Sequence, residues 1–160
     1  MRIALDGCDG VGKSTVAEKL ANKFGCNIVR LTYGGDRSIK SYAQLMTCEN
    51  VVHDRTFISE MIYPKYFGKV SDIMMHRSAL FSMLDELKIN TFILTASPET
   101  IRARIESRGD EFIDNIGMLI QINDDYNYVA HSYNLKIIDT TNKTIDEIVE
   151  EIGGYIENVC

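Results

Sequence analysis

The segment Gly7-Cys8-Asp9-Gly10-Val11-Gly12-Lys13-Ser14, followed by Thr15, constrains this chain more than any other. It fits G-x-x-x-x-G-K-[ST] and sits between an apolar run, Arg2–Asp6, and an amphipathic stretch, Ser14–Phe24. Glycines let the backbone turn so that successive N–H groups converge on phosphate oxygens, and the following helix N-terminus adds its positive dipole. In such a loop the lysine reaches the β- and γ-phosphates and the Ser/Thr hydroxyl coordinates Mg²⁺. Gly7, Gly10, Val11, Gly12, Lys13, Ser14 and Thr15 are therefore the candidate phosphate-binding residues, with Ser14 a candidate metal ligand. The pattern implies a nucleotide. It does not say which reaction.

Hydrophobic periodicity around this segment alternates strands and helices. Five strands are expected at Arg2–Asp6, Asn27–Leu31, Val51–Asp54, Thr91–Thr95 and Leu135–Asp139. In Ser14–Phe24 the apolar positions Val16, Leu20 and Phe24 recur at helical spacing, and Gly25 is a C-terminal stop. Further helices are predicted at Ser38–Met46, at Thr56–Phe67 with an interruption at Pro64, and at Val70–Leu87. The remaining ones run from Pro98 to about Ser107, from an Asp110 N-cap through Tyr128, and from Thr144 to about Asn158. A turn is expected at Tyr33–Asp36. Strands separated by helices, without hairpin signals, predict an α/β fold with a parallel sheet covered on both faces. The 160 residues suit a single domain, 1–160, with no repeat or linker.

Charge narrows the partners. The chain carries 17 Lys+Arg against 23 Asp+Glu, a formal net charge of −6, which argues against a nucleic-acid polymer as partner. Most of that excess lies in the last predicted helix, with Asp146, Glu147, Glu150, Glu151 and Glu157. No apolar run reaches the length of a membrane span, and none reads as a secretion signal. The four cysteines lack C-x-x-C spacing, so reduced thiols and a cytoplasmic location are expected, in a host cytoplasm if the chain is viral.

Two other segments carry chemistry. Asp54 ends an apolar run, where an acid can bear on Mg²⁺ directly or through water, or can cap the next helix. Arg55 beside it is either a surface charge or a guanidinium aimed at phosphate. Arg104 and Arg108, four apart, share a helix face, with Arg102 offset. They fit a solvated face, or arginines that neutralise a transferring phosphoryl group.

Together these segments resemble the thymidylate kinase-like branch of the P-loop nucleotide kinases. Gly7 through Thr15 is similar to that branch's G-x-D-G-x-G-K-[ST]-T loop. Asp54-Arg55 with Ser59 and Tyr63 resembles its D-R-x-x-x-S-x-x-x-Y segment, and Pro98-Glu99, Arg104 and Arg108-Gly109-Asp110 resemble its lid. Ile138-Asp139 with Thr140, Thr141, Asn142 and Lys143 is similar to the loop that passes the adenine. The resemblance implies a three-layer α/β/α fold, strand order 2-3-1-4-5, and a helical lid at about 101–112. It implies ATP as co-substrate, Mg²⁺ as cofactor, and a homodimer, as relatives often form. By the same resemblance Asp9 contacts the sugar 3′-hydroxyl, Arg55 the acceptor and donor phosphates, and Ser59 and Tyr63 line the acceptor pocket. Lys13, Asp54, Arg55, Arg104 and Arg108 are the catalytic set. Where some members have an arginine in the loop this chain has Val11, which suits the subtype with lid arginines. The family's E-P-G-G-T turn is Thr32-Tyr33-Gly34-Gly35-Asp36 here, without the glutamate. The trimmed length fits a compact viral or phage version.

The missing glutamate separates two acceptors. A nucleoside 5′-hydroxyl must lose a proton to a base, whereas a monophosphate, with a second pKa near 6, is already largely ionised. The monophosphate is thus the expected acceptor and the deoxynucleoside the alternative, with Asp36 and Asp9 the residues that could reverse this order. A guanine-nucleotide switch is disfavoured because Asn142-Lys143-Thr144 is followed by Ile145, not Asp. A non-catalytic nucleotide-binding module would have no use for the lid arginines.

Overall fold

The computed structural model describes residues 1–31, 38–109 and 115–157. Five parallel strands, β1 (Arg2–Asp6), β2 (Asn27–Arg30), β3 (Val51–Asp54), β4 (Asn90–Thr95) and β5 (Lys136–Asp139), form one sheet in the order β2-β3-β1-β4-β5. The order follows from the sequence of burial. In β1 the residues Ile3, Ala4, Leu5 and Asp6 are fully buried, and β3 and β4 are nearly so, as required of strands covered on both faces. The outer strands β2 and β5 keep exposed positions.

Among the described residues seven helices surround this sheet: α1 (Lys13–Phe24), α2 (Ile39–Met46), α3 (Phe57–Tyr66), α4 (Ile73–Glu86), α5 (Pro98–Arg108), α6 (Ile116–Ser132) and α7 (Ile145–Glu157). On one face α1 buries Val16, Ala17, Leu20 and Ala21 and packs beside α7. Lys19 pairs with Asp146, and Lys23 with Glu150 at 2.9 Å, so the acidic face of α7 is partly answered by α1. On the other face α6 lies against β4 and β5 and meets α3 and α5, while α4 meets α2 and α3. Leu119, Ile122 and Tyr126 of α6 are fully buried.

Local signals set most boundaries. Ser97 accepts from Thr100 N–H as N-cap of α5, with Pro98 at the first helical position, where a missing N–H costs nothing. Thr144 and Glu147 form a reciprocal capping box at α7: Glu147 Oε2 accepts from Thr144 N–H at 2.7 Å, and Thr144 Oγ1 from Glu147 N–H at 3.3 Å.

Apart from shifts of a single residue, three features differ from those predicted. Pro64 does not interrupt α3, which continues to Tyr66, because the proline lies in the last turn and only the final hydrogen bonds are affected. The helix expected from Val70 starts at Ile73, since Val70 is 96% exposed and offers nothing to bury. Helix α6 runs past Tyr128 to Ser132, because Val129 and Ala130 continue its buried stripe. The Tyr33–Asp36 turn, the Asp110 N-cap, residues 110–112 of the lid region, and the end of the last helix at Asn158 lie outside the described residues.

The carboxyl ends of β1, β3 and β4 lie side by side, so the segments that follow them share one edge. In an open parallel sheet this edge, where the strand order reverses, is where ligands bind.

Candidate active site

The loop between β1 and α1 has the backbone that its glycines predict. Gly7 has φ +146°, and a Cβ there would stand 2.3 Å from Leu94 O of β4, so no side chain fits. Gly12, the N-cap of α1, has φ +92° and no side chain to satisfy the first-turn N–H groups. These unanswered donors, with the positive end of α1, form an anion site. Lys13 lies inside this curve, its ammonium donating to Cys8 O at 2.5 Å. Burial, and then the charge of Arg55, pull Lys13 down to about 8, which favours an anion as partner. Ser14 and Thr15 are exposed at the mouth, whereas the Val11 side chain is buried and offers only its backbone.

Asp54 pairs in register with Leu5, which brings its carboxylate to the level of the loop entrance. It is buried, with Arg30 Nε 3.7 Å from Oδ2. Ser14 and Asp54 supply a hydroxyl and a carboxylate. With phosphate oxygens and water they make the all-oxygen donor set that suits Mg²⁺, so the residues fit that ion.

Arg55 gathers the acceptor-side residues. Its guanidinium donates to Asp9 Oδ1 at 2.5 Å, Gly7 O and Ser59 Oγ at 3.3 Å each, and Tyr63 Oη at 3.4 Å. It also lies 4.9 Å from the Tyr63 ring centre, a cation–π contact. Tyr63 donates in turn to Asp9 Oδ2 at 2.9 Å, so both oxygens of Asp9 are engaged. Burial pushes the Asp9 carboxyl up, but Lys13, Arg55 and Tyr63 outweigh it and hold Asp9 below its ordinary value. The structure thus brings Asp9 and, 46 to 54 residues later, Arg55 and Tyr63, with Ser59 between them, into one cluster beside the phosphate loop.

The lid arginines separate. Arg104 reaches Gly10 O at 3.2 Å, Thr140 Oγ1 at 3.0 Å and Thr140 O at 2.8 Å, clasping α5 to the loop and to the segment after β5. Arg108 is exposed in the last turn of α5, and Arg102 faces solvent toward Glu106. Thr140 is buried, and Thr141 is held by Asp139 and accepts from Ser97 N–H at 2.9 Å. Asn142 is exposed, and Lys143 pairs with Glu151 at 2.6 Å.

Three residues of this region have no motif in the sequence. Asp6 is buried behind the loop and accepts from Thr56 Oγ1 and Ser59 Oγ. Tyr126 of α6 shares a 2.8 Å hydrogen bond with Ser59. Asn123 bonds both backbone groups of Ala96 and accepts from the Cys8 thiol at 3.7 Å. The available signal was polarity in an apolar context: an acid ending a buried strand, and an asparagine within the apolar stripe of a helix.

No family model matches the chain. A probable thymidylate kinase of Methanocaldococcus jannaschii is 26% identical over 187 residues, covering 99% of this chain and 97% of that protein. YorR of Bacillus subtilis, described as SPbeta prophage-derived, is 28% identical over 165 residues, covering 97% and 98% of the two chains. Its crystal structure in complex with phosphorylated GDP superposes with a TM-score of 0.80 over 98% of this chain and 96% of that one. A putative adenylate kinase of Pyrococcus furiosus is 32% identical over 167 residues, covering 99% of this chain and 85% of that protein. Identity at that level across nearly the whole length, joined to the loop geometry above, means that this chain belongs to the P-loop nucleotide kinases and is an ATP-dependent phosphotransferase.

Proposed function

We propose that this kinase transfers the γ-phosphoryl group of ATP to the 5′-phosphate of a nucleoside monophosphate, in one catalytic domain spanning the chain. The observation that carries this reading is the state of Asp9. Its carboxylate is bound through both oxygens and held below its ordinary pKa, which makes it a poor base for a nucleoside 5′-hydroxyl. Asp6, the other carboxylate behind the loop, is sealed in the core. A monophosphate oxygen is already ionised at neutral pH and asks for no base. The relatives named thymidylate and adenylate kinase are consistent with such an acceptor, and YorR, crystallised with a phosphorylated guanine nucleotide, with a nucleotide in the site.

In this reading the loop amides and Lys13 hold the β- and γ-phosphates, and Arg55 receives the acceptor phosphate, with Asp9 turning to the sugar hydroxyl. Ser59 and Tyr63 bound the acceptor side. Arg104 and the segment Thr140–Lys143 form the adenine side, and Arg108 moves onto the γ-phosphoryl group as the lid closes and excludes water. Ser14 and Asp54 would hold Mg²⁺, which neutralises charge on the phosphates when bound. The test is ADP release with a panel of nucleoside monophosphates and the matching nucleosides. Turnover with at least one monophosphate, well above any nucleoside, is expected; turnover on nucleosides alone would replace this reading with a nucleoside kinase.

A further inference from the structure

Asp6 ends β1 one residue before the phosphate loop, yet it is fully buried and points into the core between β3 and α3. Thr56 Oγ1 donates to its Oδ2 at 2.5 Å and Ser59 Oγ to its Oδ1 at 2.7 Å. A serine hydroxyl has one hydrogen and two lone pairs. Since that hydrogen goes to Asp6, the other neighbours of Ser59 Oγ must donate to it: Tyr126 Oη at 2.8 Å and Arg55 Nη1 at 3.3 Å. Burial pushes the Asp6 carboxyl up, against the Thr56 and Ser59 hydroxyls and the charges of Arg55 and Lys13; in its ionised form it accepts both hydroxyl hydrogens and so orients the relay.

The corner this relay braces is strained. Arg55 has φ +78°, a left-handed conformation that costs a bulky residue on the order of 1–3 kcal/mol and persists only where neighbours over-determine it. Its N–H donates to Leu5 O at 2.9 Å, next to Asp6, and Thr56 also caps α3 by accepting from Ile58 N–H. The guanidinium is held at Nη2 by Asp9 and Tyr63 and at Nη1 by Ser59 and Gly7 O.

We infer that Asp6 is a positioning residue for the acceptor: through Ser59 and Thr56 it sets the first turn of α3 and aims the Arg55 guanidinium at the acceptor phosphate. This rests on the reading that Arg55 receives that phosphate. When the phosphate displaces Asp9 from Nη2, the contacts of Nη1 with Ser59 Oγ and Gly7 O stay, and of these two Ser59 is the one tied to Asp6. The relay therefore governs the acceptor side and leaves the ATP side alone.

Steady-state kinetics of Asp6→Asn, Ser59→Ala and the double variant test it, with Arg55→Lys as reference and melting temperature measured throughout. The amide of Asp6→Asn cannot accept on its nitrogen, and Ser59→Ala deletes the relay. Each should raise the acceptor KM ~10-fold with the KM for ATP within about 2-fold, the scale of one lost charge-assisted hydrogen bond. The double variant should be no worse than the more impaired single one, because the residues act as a unit. An unchanged acceptor KM in a variant that melts normally would overturn the inference. So would an equal rise in both KM values, or strictly additive effects. If Asp6→Asn does not fold, Thr56→Ala decides, since Thr56 touches Asp6 and lies outside the acceptor pocket: a rise in the acceptor KM alone supports the inference, and an unchanged acceptor KM in a variant that folds overturns it. Failure of the underlying reading looks different: Arg55→Lys would then leave the acceptor KM unchanged.

Discussion

At the scale of single residues, the site is a set of charges whose protonation is tuned by what surrounds them. Lys13 is pulled down to about 8 in the free protein by burial and by Arg55. Bound phosphates favour the ammonium form, so the ATP complex holds its proton to higher pH than the free enzyme does. ATP affinity should therefore be flat below pH 8 and fall as pH rises through it, with proton uptake on binding; calorimetric titration at pH 7 and pH 9 checks this. Lys13→Ala and Arg108→Ala should each cut turnover by ~100-fold or more, the scale of a lost phosphate-stabilising cation. Single-turnover rates near wild type in either would remove that residue from the mechanism. The two arginines were legible together, from their i, i+4 spacing, but the different contacts they make were not. Only the structure shows that Arg104 turns back to Gly10 and Thr140, contacts between residues far apart in sequence.

At the scale of elements, α5 works as a strap. Its Ile101 and Ile105 pack close over Gly10, and Arg104 ties it to Thr140. Arg104→Ala should leave the acceptor KM unchanged and raise that for ATP ~10-fold, since one hydrogen bond to the phosphate loop at Gly10 and two to Thr140 are lost together. Strand β3 holds a different sensitivity. His53 is buried with Nε2 lacking a hydrogen-bond partner, and burial, then the charge of Arg2, push it down to about 4. The native state prefers the neutral ring, so this contribution is intact above pH 6.5 and is lost as pH falls from there through 4. It corresponds to about 3 kcal/mol at its full extent. A His53→Val variant should show a flatter fall in melting temperature between pH 7 and pH 5 than wild type does. Most elements were readable in advance because periodicity, Pro98 and Gly25 mark them locally. Two of the exceptions share a cause: the start of α4 and the end of α6 are set by what lies beneath them, which no local signal records.

At the scale of the whole molecule, the net charge of −6 describes the outside and misleads about the site. Of the acids of α7, Asp146 and Glu150 pair with α1, Glu147 caps the helix at Thr144 and Glu151 pairs with Lys143, while Lys13, Arg55 and Arg104 converge on the loop at the sheet edge. Motif spacing made Lys13, Asp54 and Arg55 recognisable. The supporting layer of Asp6, Asn123 and Tyr126 was not, because a buried polar residue acquires meaning only from partners that the fold supplies. No helix among the described residues is long and apolar enough to cross a membrane. The central claim is that a nucleoside monophosphate receives the γ-phosphoryl group. Its most direct test is the fate of label from γ-phosphate-labelled ATP, incubated with the enzyme, Mg²⁺ and each monophosphate or nucleoside in turn. Label in the β-position of a nucleoside diphosphate is the result predicted here. Label appearing only in a monophosphate made from a nucleoside, or only in free inorganic phosphate, would contradict it.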